Sequence, residues 1–141
     1  MSAVIVDNPF SLPKPDVDRV VLDSLRLPLW FQPTRFVPHS IESKPQGYRL
    51  VLFFNASLPG PRGDRACGNV SDVAVDPLGD RTRVTAVFCA RDRFISEIDA
   101  WAPALAPDDR GFPTFLYQVL AVLLPPHNPF DFPDCLSPSC T

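Results

Sequence analysis

The residues of this chain best able to do chemistry are its four cysteines and two histidines, and their spacing limits what they can do. Cys135 and Cys140 lie close together with His127 and Asp134 nearby, which puts thiolate, imidazole and carboxylate donors in one short stretch. A structural zinc site closes a tetrahedron from two such tight pairs, and the sequence offers one. Cys67 and Cys89 fall in or beside strand-like sequence instead, so no metal site is expected. A cysteine nucleophile needs a base within hydrogen-bond reach and a third group to orient that base. His39 is the candidate base for Cys89, yet no flanking signature accompanies the pair. Cys89 sits in the apolar run Val84–Ala90, where it reads as a small buried hydrophobe. No Gly-x-Ser-x-Gly elbow, phosphate-binding loop or dinucleotide fingerprint is present, and six glycines leave little material for a phosphate cradle. The sequence therefore assigns no catalytic residue, no cofactor and no metal ligand.

Three short motifs have meaning only outside a cell: Arg62-Gly63-Asp64, an adhesion tripeptide, and the glycosylation sequons Asn55-Ala56-Ser57 and Asn69-Val70-Ser71. Motifs this short recur by chance, and they are read that way here. Met1–Val6 runs directly into Asp7-Asn8-Pro9 without a basic segment or a long apolar one, so a cytoplasmic location is expected. In that compartment the four cysteines are expected to be thiols. In an exported chain, Cys67 with Cys89 and Cys135 with Cys140 would be the pairings to test.

Around these residues the composition sets the frame. A net charge of −3 and a pI near 5.2 provide no basic field, which disfavours nucleic acid as a principal partner. Eighteen prolines in 141 residues confine regular structure to the gaps between them, at 16–27, 46–58, 62–76, 78–102 and 114–124. An apolar content of 45% is too high for a chain that buries nothing, so a folded core is expected despite the prolines. The length suits one domain, 1–141, with 1–15 and 125–141 as extended proline-rich arms.

Within the first arm, Val4-Ile5-Val6 has the character of an added edge strand. Val17, Val20, Val21, Ser24 and Leu25 recur at helical spacing, predicting a helix over 16–26 that starts at Pro15-Asp16 and stops before Pro28. Tyr48 to Ser57 reads as a central strand, with Tyr48, Leu50, Leu52 and Phe54 on one face and Val51 and Phe53 making the other apolar as well. Val70, Val73 and Val75 suggest a weaker strand over 69–75. A strong strand spans 83–91, and Asp92-Arg93 offers a reversal into a strand over 94–101 with Ile98 inward and Glu97 and Asp99 outward. A short helix over 93–101 competes with that last strand, because Phe94, Ile98 and Trp101 also fit a helical stripe. Residues 112–124 form the most apolar run, a helix with Tyr117 and Gln118 as its polar relief, capped by Asp108 or Asp109 and ended by Pro125-Pro126. At about 20 Å it is shorter than the roughly 30 Å of a bilayer core, so no transmembrane span is expected.

These elements predict a small α+β fold: an antiparallel sheet of three to four strands packed by the two helices. The expected function is that of a non-catalytic accessory or scaffolding subunit docking on a larger protein assembly. Peripheral contact with a membrane complex is compatible with its apolar helix. The residues expected to bind the partner are Trp30, Phe31 and Phe36 between prolines, Phe112, Phe115, Leu116 and Leu120 on the helix, and Phe130 and Phe132 in the tail. The alternative is a self-contained small-molecule domain or small enzyme with a pocket between sheet and helix, lined by phenylalanines and by Cys89 or His39.

Overall fold

The computed structural model describes residues 2–6, 10, 13–26, 37–38, 48–57, 60–68, 73–77 and 79–124. Its elements in chain order are β1 (Ser2–Val6), α1 (Lys14–Ser24), β2 (Val37–Pro38), β3 (Tyr48–Phe54), α2 (Asp64–Cys67), β4 (Arg81–Ala90), β5 (Arg93–Pro103) and α3 (Gly111–Leu123). The sheet order is β2-β1-β3-β4-β5, with β3, β4 and β5 antiparallel and β1 running parallel to both β2 and β3. The fold is thus α+β, and the sheet is mixed rather than wholly antiparallel. Val4-Ile5-Val6 does join a sheet, but as part of an internal strand: Val4 pairs with Val51, Ile5 with Leu52 and Val6 with Phe53. An apolar strand with no charge along it is best satisfied with neighbours on both sides.

Strand β3 is the centre. Leu50, Leu52 and Phe54 point to one face and Val51 and Phe53 to the other, and all five are buried. The first face is covered by α1 and α3, whose Val17, Val21, Phe112, Phe115, Leu116, Val119, Leu120 and Leu123 form one core with Leu50, Leu52, Phe54, Val84, Ala86 and Phe88. Three phenylalanines knit its elements together: the ring of Phe10 lies 5.3 Å from Phe54 and 6.1 Å from Phe112, and Phe54 stacks on Phe112 at 5.9 Å. Such ring pairs add to the area they bury.

Helix α1 begins two residues earlier than expected, at Lys14, because a proline within the first turn loses no intrahelical bond there. It stops at Ser24, whose hydroxyl donates to the Val20 carbonyl at 2.7 Å, a local alternative that weakens helix propagation. Of the predicted stripe, Val17, Val21, Ser24 and Leu25 are buried and Val20 is half-buried. Asp109 caps the turn before α3 rather than the helix, its carboxylate accepting the Ala106 N–H at 2.7 Å. At the other end the Leu123 carbonyl accepts the Ser96 hydroxyl at 2.7 Å, so a β5 side chain serves the helix C-terminus.

The hairpin forms, with Ala90 opposite Arg93 and a turn at Arg91-Asp92 in which Arg91 has φ 59°. The sheet register settles the competition at 93–103 in favour of a strand: Ile95, Ile98, Ala100 and Ala102 pack on the helix-covered core, as expected for Ile98. The strand expected over 69–75 is reduced, among the described residues, to one bridge between Ala56 and Val75. Asn55, with φ 51°, turns the chain off the end of β3, so that Ser57 N–H pairs with Ala74 O at 2.8 Å outside the main ladder. Phe112 is fully buried at the junction of α3, β3 and Phe10. Phe112→Ala is expected to destabilise the fold by about 3–5 kcal/mol, measured by urea unfolding.

Candidate functional site

Among the described residues, the second face of the sheet has no long helix over it. Its apolar positions, Val6, Val51, Phe53, Val87 and Cys89, are covered by Ala56 and by Ala66 and Cys67 of α2. Four ties hold the segment 60–67 there. Cys67 is joined to Cys89 of β4 by a disulfide. Arg62 pairs with Asp99 of β5 at 2.5 Å, the Gly63 N–H donates to Glu97 Oε2 at 3.3 Å, and the Phe94 N–H donates to Asp64 Oδ1 at 2.9 Å. Gly63 has φ 58°, a conformation that a residue with a Cβ adopts only at a cost. Cys67 and Cys89 were expected to be thiols and are instead bonded. The sequence marked Cys89 as a buried residue, as it is, and named Cys67 as its partner only for an exported chain; no local signal brings Cys67, 22 residues away, against it. Closing a loop of that length stabilises by about 3 kcal/mol in the chain-entropy account. The bond also removes Cys89 as a nucleophile.

Beside this clip lies a polar network. Asp99 accepts hydrogen bonds from Arg62 and from the Thr85 hydroxyl, the latter at 2.5 Å. Partial burial pushes its carboxyl pKa up, but the bonds from Thr85 and Arg62, with the charges of Arg62 and Arg83, outweigh that and hold it below its ordinary value of 3.8. The same bond raises the Arg62 guanidinium pKa. Arg83 donates to the Ala56 carbonyl. Arg49 differs from these: it lies opposite Cys89 in the ladder, is 5% exposed, and has Nε and Nη2 without a hydrogen-bond partner among the described residues. Desolvation pushes its pKa down, and the charge of Asp92 opposes that.

Two of the three extracellular motifs are absorbed by this architecture. Asn55 is 6% exposed, and its Oδ1 accepts the Arg83 N–H at 2.6 Å, so in the folded chain it presents no amide for glycosylation. Arg62, Gly63 and Asp64 are each tied to β5. Asn69 and Ser71 lie outside the described residues, as do His39, His127, Asp134, Cys135 and Cys140.

Of the residues expected to bind a partner, Phe112, Phe115, Leu116 and Leu120 are buried within the chain, the most exposed of them at 7%. They face the sheet because β3 and β4 present a matching apolar surface, so their apolar character reports core packing instead of docking. Trp30, Phe31, Phe36, Phe130 and Phe132 lie outside the described residues. The exposed apolar residues are ones the sequence did not single out. Val122 (71% exposed) and Tyr117 stand on the outer face of α3, and Trp101 (58%) and Phe94 on β5, the last strand of the sheet order. Between sheet and helices the ring cluster and the aliphatic side chains around it pack as one core. A cleft on the second face lined by Phe53, Ala56, Gly60, Pro61, Arg62 and Thr85 has no room for a water molecule. Among the described residues no helix is long and apolar enough to cross a membrane. Comparison with family models, curated proteins and solved structures gives no match for the chain.

Because Asp99 has a folded-state pKa below its unfolded value, its contribution is present above the unfolded pKa and is lost as pH falls through the folded-state one. Asp99→Asn should cost about 1 kcal/mol at neutral pH for so exposed a pair. That difference should shrink in urea titrations as pH falls through the folded-state pKa of Asp99, where the wild-type carboxylate loses its charge. Arg49→Met should be neutral or raise Tm, because a buried cation whose Nε and Nη2 lack hydrogen-bond partners among the described residues is exchanged for an apolar chain of similar length.

Proposed function

We propose that this protein is a non-catalytic accessory or scaffolding subunit that docks on a larger protein assembly through the outer face of α3. One observation carries the reading: α3 has no charged residue over its 13 positions, including those that face outward. The exposed positions are Gly111, Pro113, Thr114, Tyr117, Gln118 and Val122, with Ala121 half-buried. A helix lying on a sheet ordinarily turns charged residues to water. An outer stripe this poor in charge has little to lose by desolvation when another protein covers it. Docking therefore uses the face of α3 that the described residues leave uncovered, while the opposite face belongs to the core.

Purified alone, the chain should self-associate or run as a complex in size-exclusion chromatography with light scattering. Val122→Asp should shift it toward monomer with Tm unchanged, since the side chain lies outside the core. A monodisperse wild-type monomer with a sharp unfolding transition would sink the proposal.

A further inference from the structure

The two faces of the sheet are covered in different ways. On the helix side, α1 and α3 bury eight large side chains against β3 and β4. On the other side α2 has four residues and buries only Ala66 and Cys67, both small. Its remaining ties are polar. Arg62–Asp99 is a partly exposed ion pair, the bond from Phe94 N–H to Asp64 is exposed, and the Gly63–Glu97 bond is long at 3.3 Å. Such contacts contribute little in water. Only the Cys67–Cys89 bond is both buried and covalent, and both residues are fully buried.

We infer that the disulfide is a lock: segment 60–68 stays closed over the second face only while Cys67 and Cys89 are oxidised, and reduction opens it without dissolving the helix-covered core. Opening uncovers Val6, Val51, Phe53 and Val87, an apolar patch at the centre of the sheet. The chemistry is thiol–disulfide exchange with a dithiol. One thiolate attacks a cysteine sulfur, the resulting mixed disulfide is closed by the second thiol, and two electrons and two protons pass to the protein. The products are two cysteine thiols and the oxidised dithiol. Because neither residue is exposed, attack waits for a local opening of the clip, so the lock resists casual reduction. The closed form accordingly belongs to a compartment that oxidises thiols. This inference is independent of the docking surface on α3.

The test is hydrogen exchange read by mass spectrometry on the full chain in three forms: oxidised wild type, wild type reduced to completion with dithiothreitol, and the Cys67→Ala/Cys89→Ala variant. The oxidised sample is first digested without reductant, where a linked peptide containing both cysteines is expected. In the reduced and double-variant forms the amides of Gly63, Ala66, Cys67 and Phe94, which depend on the clip for their partners, should exchange at least about tenfold faster. Peptides covering 48–54, 82–88 and 115–120 should keep their protection. Three outcomes overturn the inference: no linked peptide in the native chain, a clip that stays protected after reduction, or loss of protection throughout the chain. The last would make the bond a support of the whole fold. Should the double variant fail to fold, the reduced wild type still decides among these outcomes.

Discussion

Everything in this fold answers to one constraint, a central strand that is apolar on both faces. Leu50, Leu52 and Phe54 demand cover on one side and Val51 and Phe53 on the other, and water is excluded from all five. A strand of this kind cannot lie at an edge or face solvent without exposing large side chains. The placement of β1 and β4 on its flanks, the docking of both long helices and the fastening of α2 all follow from that demand. Even the N-terminal segment, which reads as an arm in a proline-rich chain, is drawn in as an internal strand because it matches β3 residue for residue.

The two covers differ in kind, and the difference shapes what the protein can do. The helix side is a conventional core whose cohesion comes from area and from ring packing among Phe10, Phe54 and Phe112. The opposite side is covered by a short segment with almost no apolar area of its own, held by a covalent bond and a few polar contacts. Sequences that look like recognition motifs are consumed in making those contacts. Arg62, Gly63 and Asp64 serve β5, and the Asn55 side chain satisfies a backbone N–H where the chain leaves the sheet.

The same logic divides α3. Its inward residues are apolar because the sheet requires it, and for those positions hydrophobicity says nothing about partners. Its outward residues are under no such requirement, yet they include no charge, and it is this surplus that supports a docking role. The run 112–124 was legible as a helix, but the meaning of each residue in it depended on which side the sheet lay.

Period and punctuation in the sequence were enough to determine the α+β class, helices expected over 16–26 and 112–124 and found at Lys14–Ser24 and Gly111–Leu123, the two-faced strand from Tyr48, and a hairpin whose turn falls one residue before the expected Asp92-Arg93, because all of these rest on local spacing and on where prolines forbid continuation. The apolar run around Cys89 likewise marked it as buried. Only the tertiary structure decided that Val4-Ile5-Val6 runs parallel inside the sheet, that Cys67 meets Cys89, and that Phe115 and Leu116 face the core while Tyr117 and Val122 do not. Each of those is a relation between residues far apart in the chain. A local pattern carries no record of such a relation until the apolar faces are set against one another.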